Sequence, residues 1–330
     1  MKPPEKSRRQ ALATLAAGAA AVTFPTLACA QAWPARPVTV VIPYPVGGTT
    51  DVIARALQPA MQGQLGQPIV VDAKTGASGM IATRFVARAP ADGYTVLLQT
   101  NGIVITPHIS KSAGVDPLRD FEPVMLLAAQ PMVLVTHPSL PVRSVRELVD
   151  YAKAHPGQID FGSSGVASNG RLATEQFMRQ AGISMNHVPY KGMAQITQAL
   201  LSGEVKLMLS STTPQINEFV KEGKLRYLGV ASLEPSSLVP NVEPIARTLK
   251  GFQAEVWYGL LVPRGTPPEV VTRIQEAALK ALAVPGNRKI IETAGAAAAE
   301  GGTPQTFKAR MEREYKAWGE IVAQVGVRED

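Results

Sequence analysis

Cysteine is almost missing from this chain: Cys29 is the only one in 330 residues. A lone thiol excludes an intrachain disulfide, a thiolate zinc cluster and a paired-thiol redox motif. Histidine is nearly as scarce, with His108, His137, His155 and His187 too far apart for a local metal motif. Aromatics make up 5% of the residues, and no basic run interleaves with them. The electrostatic footprint of a nucleic-acid binder is therefore absent. Beyond the N-terminus no segment approaches the roughly 18 uninterrupted apolar residues that a membrane span requires. No Walker loop, nucleophile elbow or dinucleotide fingerprint occurs. Enzymatic chemistry and a bound metal or cofactor are accordingly not expected.

What is present begins with a basic stretch at Lys2, Lys6, Arg8 and Arg9. An apolar, alanine-rich run follows from Ala11 to Phe24, then Pro25 and the small residues Ala28-Cys29-Ala30. This pattern predicts a signal peptide over residues 1–30, cleaved after Ala30, with Ala32 as the alternative. Ser7-Arg8-Arg9-Gln10-Ala11-Leu12 resembles a twin-arginine signal. Cleavage removes the only cysteine and leaves 29 basic and 25 acidic residues, a formal balance of +4. That mild charge does not indicate nucleic acid, and the leader implies an exported protein. The length remaining suits two domains better than one.

Strand-like and helix-like segments alternate along the rest. Val38–Ile42 is β-rich, and Asp51–Leu65 places Val52, Ile53, Ala56, Leu57, Ala60 and Met61 on one helical face. Two runs, Phe121–Leu127 and Met132–Thr136, are broken by Gln130-Pro131. Ser144 with Glu147 reads as a capping box. Residues 232–250 look irregular, and Pro267, Asn287 and Pro304 open three C-terminal helices. Gly295–Gly302 reads as a linker, and Glu312, Glu314 and Lys316 as a solvated helix face. Alternation of this kind predicts an α/β fold of two mainly parallel sheets flanked by helices. The expected boundaries are residues 31–129 with 251–330 for one lobe and 130–250 for the other. A ligand cleft is expected between them.

Two strand-to-helix loops stand out chemically. Pro43-Tyr44-Pro45-Val46-Gly47-Gly48-Thr49-Thr50-Asp51 combines two glycines, which permit close ligand approach, with helix-capping side chains. Exposed N–H groups at a helix start bind anions without any charged side chain. The second loop, Gly162-Ser163-Ser164-Gly165-Val166-Ala167-Ser168-Asn169, offers hydroxyls and an amide at the matching point of the second series.

Several further pieces complete a pattern. They are Trp33-Pro34, Lys74-Thr75-Gly76-Ala77-Ser78-Gly79, Asp92-Gly93-Tyr94-Thr95, Asp120-Phe121-Glu122-Pro123, His187-Val188-Pro189-Tyr190-Lys191-Gly192, Gly223-Lys224-Leu225 and Trp257-Tyr258-Gly259-Leu260. With the two loops they resemble the solute-binding proteins of tripartite tricarboxylate transporters, the Bug-type receptors, over nearly the whole chain after the leader. The resemblance implies a two-lobed, type II-like periplasmic binding protein that closes on a small di- or tricarboxylate or similar organic acid. It implies delivery to the membrane subunits of a secondary transporter, and a monomer. Carried over, it assigns ligand contacts to Tyr44, Gly47, Gly48, Thr49 and Asp51 in the first loop and to Ser163, Ser164 and Ser168 in the second. Thr100, Asn101 and Ser211 would line the same cleft, with Tyr190 and Lys191 as wall residues. This chain departs from the family pattern at Arg171, where histidine is usual, and at Lys206, where an acid is usual. Arg171, in the first turn of a helix, is expected on solvent, the alternative being that its guanidinium reaches the cleft rim and pairs with a second carboxylate of the ligand. A periplasmic sensory receptor and an enzyme on the same fold are the competing readings.

Overall fold

The computed structural model describes residues 33–110, 113–165, 168–190 and 192–326. The expected leader at 1–30 and the expected wall residue Lys191 lie outside the described residues. The chain divides into Met1–Ala35 and Arg36–Asp330. The sheet, the core and the cavities belong to the second unit.

β1 (Val38–Ile42) is mostly β-branched and lies between β2 (Ile69–Ala73) and β3 (Thr95–Thr100), parallel to both. α1 (Thr49–Leu65) links β1 to β2, and its buried face is Ile53, Leu57, Met61 and Leu65, spaced by four. α2 (Met80–Ala87) precedes β3 and α3 (Gly102–Ile109) follows it. β4 (Phe121–Thr136) runs straight through Gln130-Pro131, so the two expected strands are one. In place of a break the strand changes partners there.

The second series is α4 (Val145–Ala154), β5 (Asp160–Ser163), α5 (Asn169–Ala181), β6 (Asn186–Pro189) and α6 (Met193–Ser202). It continues with β7 (Leu207–Ser211), α7 (Pro214–Lys221) and β8 (Arg226–Val230). Ser144 caps α4 as expected, accepting from Glu147 N–H at 3.1 Å. The Glu147 carboxylate reaches one residue further than a capping box requires, to Arg143 N–H at 2.8 Å. The chain ends with β9 (Glu255–Pro263), α8 (Pro268–Ala283), α9 (Pro285–Thr293), β10 (Ala297–Ala298) and α10 (Pro304–Val325). α9 opens at Pro285 rather than Asn287, because proline's fixed φ suits the first helical position. The expected linker at Gly295–Gly302 contains β10, which pairs with Ala128 and Ala129 of β4.

The strand order is β2-β1-β3-β9-β4-β7-β5-β6, with β8 and β10 also paired to β4. Pairing is parallel within β2-β1-β3 and within β6-β5-β7, as expected from βα alternation. It is antiparallel at the centre, where β9 lies between β3 and β4. The sheet is therefore mixed. β9 arrives from the irregular connection after β8 and not from a βα crossover, so no crossover rule fixes its direction. Residues Phe121–Pro131 of β4 pair with β9, and Met132–Thr136 pair with β7 and β8.

Successive β4 side chains enter different cores. Met132 and Leu134 pack with α4 and α5, while Val133 and Val135 pack with α6 and α7. Burial on both faces is why this stretch reads as an uninterrupted apolar run. A third core surrounds Trp257, fully buried on β9, and gathers α2, α3 and α10. Phe307 of α10 meets the Trp257 ring edge-on at 5.1 Å. Glu312 and Lys316 are exposed as expected, but Glu314 turns inward. It accepts from Trp257 Nε1 at 2.7 Å and pairs with Arg310, which also holds Glu255.

Candidate functional site

Several helices begin around one cavity of about 360 Å³. Gly102 opens α3 and Thr106 lies one turn on; Ser168 caps α5, whose first residues are Asn169 and Gly170; Met193 opens α6; Thr213 caps α7. The first N–H groups of each helix lack intrahelical partners, and each N-terminus carries about half a positive charge. Ser78 and Tyr44 enter from the β1–β3 side, and Ser163, Ser164, Gly165, Ser210 and Ser211 from the β5–β7 side. Met132 and Val256, on the two central strands, lie between. Among the described residues no Asp, Glu, Lys, Arg or His lines the cavity. The arrangement can hold an anion by dipoles, N–H groups and hydroxyls alone.

Gly170 is why α5 can start here. A Cβ at this position would sit 2.7 Å from the carbonyl oxygen of Leu209 on β7. Glycine lets the helix N-terminus rest directly on the strand, bringing its N–H groups to the cavity wall.

The hydroxyls differ in what they can still offer. Ser163 Oγ donates to Gly165 O at 2.8 Å and lies 2.6 Å from His187 Nε2. Its only proton is engaged with the carbonyl, so His187 must donate from Nε2. Burial, aided by the charge of Arg171, pushes the His187 pKa down to about 4. The imidazole is thus neutral and props the Ser-rich loop from behind. Ser210 Oγ donates to Ser211 O at 3.2 Å. Ser168 Oγ accepts from Arg171 N–H at 3.3 Å, its helix cap. Ser164 and Ser211 hydroxyls have no protein partner among the described residues.

Tyr44 is 3.0 Å from Thr100 Oγ1, and burial raises its pKa. Thr100 in turn accepts from Gly102 N–H at 3.3 Å, bracing the start of α3. Tyr258 donates to Gln130 Oε1 at 3.1 Å and also meets the Thr49 side chain. Gln130 Nε2 donates to Thr212 O at 2.9 Å, tying the centre of β4 to the end of β7. Asn169 Nδ2 donates to Asn101 Oδ1 at 3.0 Å. Asn101 Nδ2 donates to Glu255 O at 2.9 Å.

Of the residues singled out in the sequence, Tyr44, Ser163, Ser164, Ser168 and Ser211 come together on the cavity wall. Thr100 and Asn101 stand immediately behind it, through Tyr44 and Asn169. The rest of the first loop turns on itself. Gly47 N–H donates to Asp51 Oδ2 at 2.9 Å, Gly48 N–H to Pro45 O at 3.3 Å, and Asp51 Oδ1 accepts from Arg55 Nε at 2.8 Å. Gly47, Gly48, Thr49 and Asp51 are not among the lining residues. Tyr190 stands outside too, donating to Glu204 at 2.8 Å, and burial with that neighbour raises its pKa to about 12.

Arg171 is not on solvent: its side chain is 17% exposed and lies 3.5 Å from Glu175 on the next turn. The helix-dipole cost of a cation here is met by that partner. Arg171 lines a separate groove between α5 and α10, with Gln176, Met185 and Gln324. Lys206 donates to Gly203 O at 2.7 Å at the C-terminus of α6, where a cation suits the dipole. The sequence reading missed Thr106 and all of α3, and it missed the apolar wall of Met132, Met193, Ile196, Met208 and Val256. Periodicity alone cannot separate an apolar side chain facing a cavity from one in the core.

A mixed α/β sheet flanked by helices, with a cavity where helices from both sides begin, is the architecture of periplasmic binding proteins. Solved structures agree. The periplasmic binding protein BugD superposes with a TM-score of 0.73 at 31% identity, covering 90% of this chain and 100% of that one. R. palustris Rpa4515 with adipate gives 0.75 at 34%, covering 90% and 99%. MatC from Rhodopseudomonas palustris with bound malate gives 0.71 at 29%, covering 88% and 100%. The profile of TctC, the tripartite tricarboxylate transporter family receptor, matches residues 53–327, and the chain belongs to that family.

Proposed function

We propose that this chain is an extracytoplasmic receptor that captures a small carboxylate and delivers it to the membrane subunits of a tripartite tricarboxylate-type transporter. The observation that carries this reading is the cavity ringed by helix N-termini and serine hydroxyls with no Asp, Glu, Lys, Arg or His among the described lining residues. A carboxylate fits such a site and a cation does not. Ser164, Ser168, Ser211 and Tyr44 contact the ligand, with the first N–H groups of α5 and α6. Thr100, Asn101 and Ser163 act by holding those groups in place. Residues 36–129 with 251–326 form one jaw and 130–250 the other, and closure brings Asn101 and Asn169 together. The protein works as a periplasmic monomer after loss of residues 1–30. Adipate and malate in related structures support the ligand class.

A thermal-shift screen over mono-, di- and tricarboxylates, with matched amines as controls, tests the proposal. A ligand at 100 times its dissociation constant adds about 2.7 kcal/mol of stability. A rise in Tm with at least one carboxylate and none with the amines is expected. Stabilisation by amines alone would refute it.

A further inference from the structure

We propose that the part of the ligand beyond its carboxylate is apolar: an alkyl or aryl acid without amino or hydroxyl substituents. This rests on the carboxylate reading of the cavity and narrows it. Away from the serine loop the wall is built from Met132, Met193, Ile196, Met208, Leu209 and Val256, and most of the surface facing the cavity is apolar. Two of the hydroxyls on the cavity wall already spend their protons on main-chain carbonyls. Ser163 donates to Gly165 O and Ser210 to Ser211 O.

A ligand ammonium needs a carboxylate partner, and no acidic side chain lines the cavity among the described residues. The acids nearby are engaged: Asp51 with Arg55, Glu204 with Tyr190, and Glu255 with Arg310. An amino or hydroxyl group set against methionine and isoleucine would lose its water without replacement. The flexible, polarisable methionine thioethers instead fit irregular alkyl chains and the edges of aromatic rings.

Calorimetric titration of the full-length mature chain tests this with butyrate, hexanoate, succinate, adipate, malate, aspartate and citrate. Each added methylene should tighten binding by about fourfold, the factor that corresponds to about 0.8 kcal/mol. Malate and aspartate should bind at least about tenfold more weakly than succinate. In Met193→Gln, a change on the half-buried wall, the hexanoate-to-butyrate affinity ratio should fall towards one. Malate, aspartate or citrate binding as tightly as succinate overturns the inference and leaves the carboxylate receptor standing. So does an unchanged chain-length ratio in Met193→Gln. Binding by none of these acids overturns both.

Discussion

His187 should make the folded protein acid-sensitive, and replacing it should remove that sensitivity. In the fold its pKa falls from the usual 6.5 to about 4, first through burial and then through Arg171. Its Nε2–H is committed to Ser163. As pH drops below 6.5 the unfolded chain takes up a proton that the folded chain refuses until near 4. Stability must therefore decline as pH falls through that window, and it is fully retained above it. A gap of that size is worth at most about 3 kcal/mol. At about pH 5 it amounts to about 2 kcal/mol relative to pH 7.5, somewhat less after allowing for the partial exposure of the ring. Urea denaturation of wild type and His187→Gln at matched pH values isolates this contribution. His137, also lowered by burial and Lys206, and His108, lowered by burial, are common to both proteins. The variant should lose stability less steeply between neutral pH and pH 5. Equal slopes would refute the half-buried, neutral assignment.

Other expectations follow from the same geometry. Gly170→Ala should lower the Tm and abolish carboxylate-induced thermal shift, because its methyl meets the Leu209 carbonyl and lifts α5 from the wall. Arg310→Met leaves Glu255 and Glu314, both 20% exposed, without their cation and should cost roughly 3 kcal/mol in urea unfolding. Tyr44→Phe keeps the ring but loses the bond to Thr100, and should weaken carboxylate binding by several-fold, about 1 kcal/mol by titration calorimetry. Mass spectrometry of exported protein should find Gln31 or Trp33 as the first residue, and an intact Lys2–Arg9 segment would refute the leader.

Much of this architecture is written locally. β-branched runs, helix faces spaced by four and proline or serine at helix starts place most elements within a few residues. The pairing of those elements is not local. Nothing in Glu255–Pro263 says that it inserts between β3 and β4, and the Gln130-Pro131 break conceals a continuous strand whose partners change. Gly295–Gly302 resembles a linker because a two-residue strand has too little sequence to carry a period. In the site, the Gly162–Asn169 loop was legible because hydroxyls at a strand-to-helix junction have a chemical reading. The first loop was half legible. Its Tyr44 lines the cavity, whereas Asp51 folds back onto Gly47, a competition between capping and ligand binding that sequence leaves open. The inward turn of Glu314 was hidden for a related reason, since its partners Trp257 and Arg310 are set by tertiary packing.

The most direct test of the account is a crystal structure with the tightest-binding carboxylate from the screen. The account places the carboxylate oxygens at the N-terminus of α5, within hydrogen-bond reach of Asn169 or Gly170 N–H and of Ser164 or Ser211, with the apolar body against Met193 and Met208. A carboxylate seated instead on the Gly47–Asp51 turn, or in the Arg171 groove between α5 and α10, would contradict it.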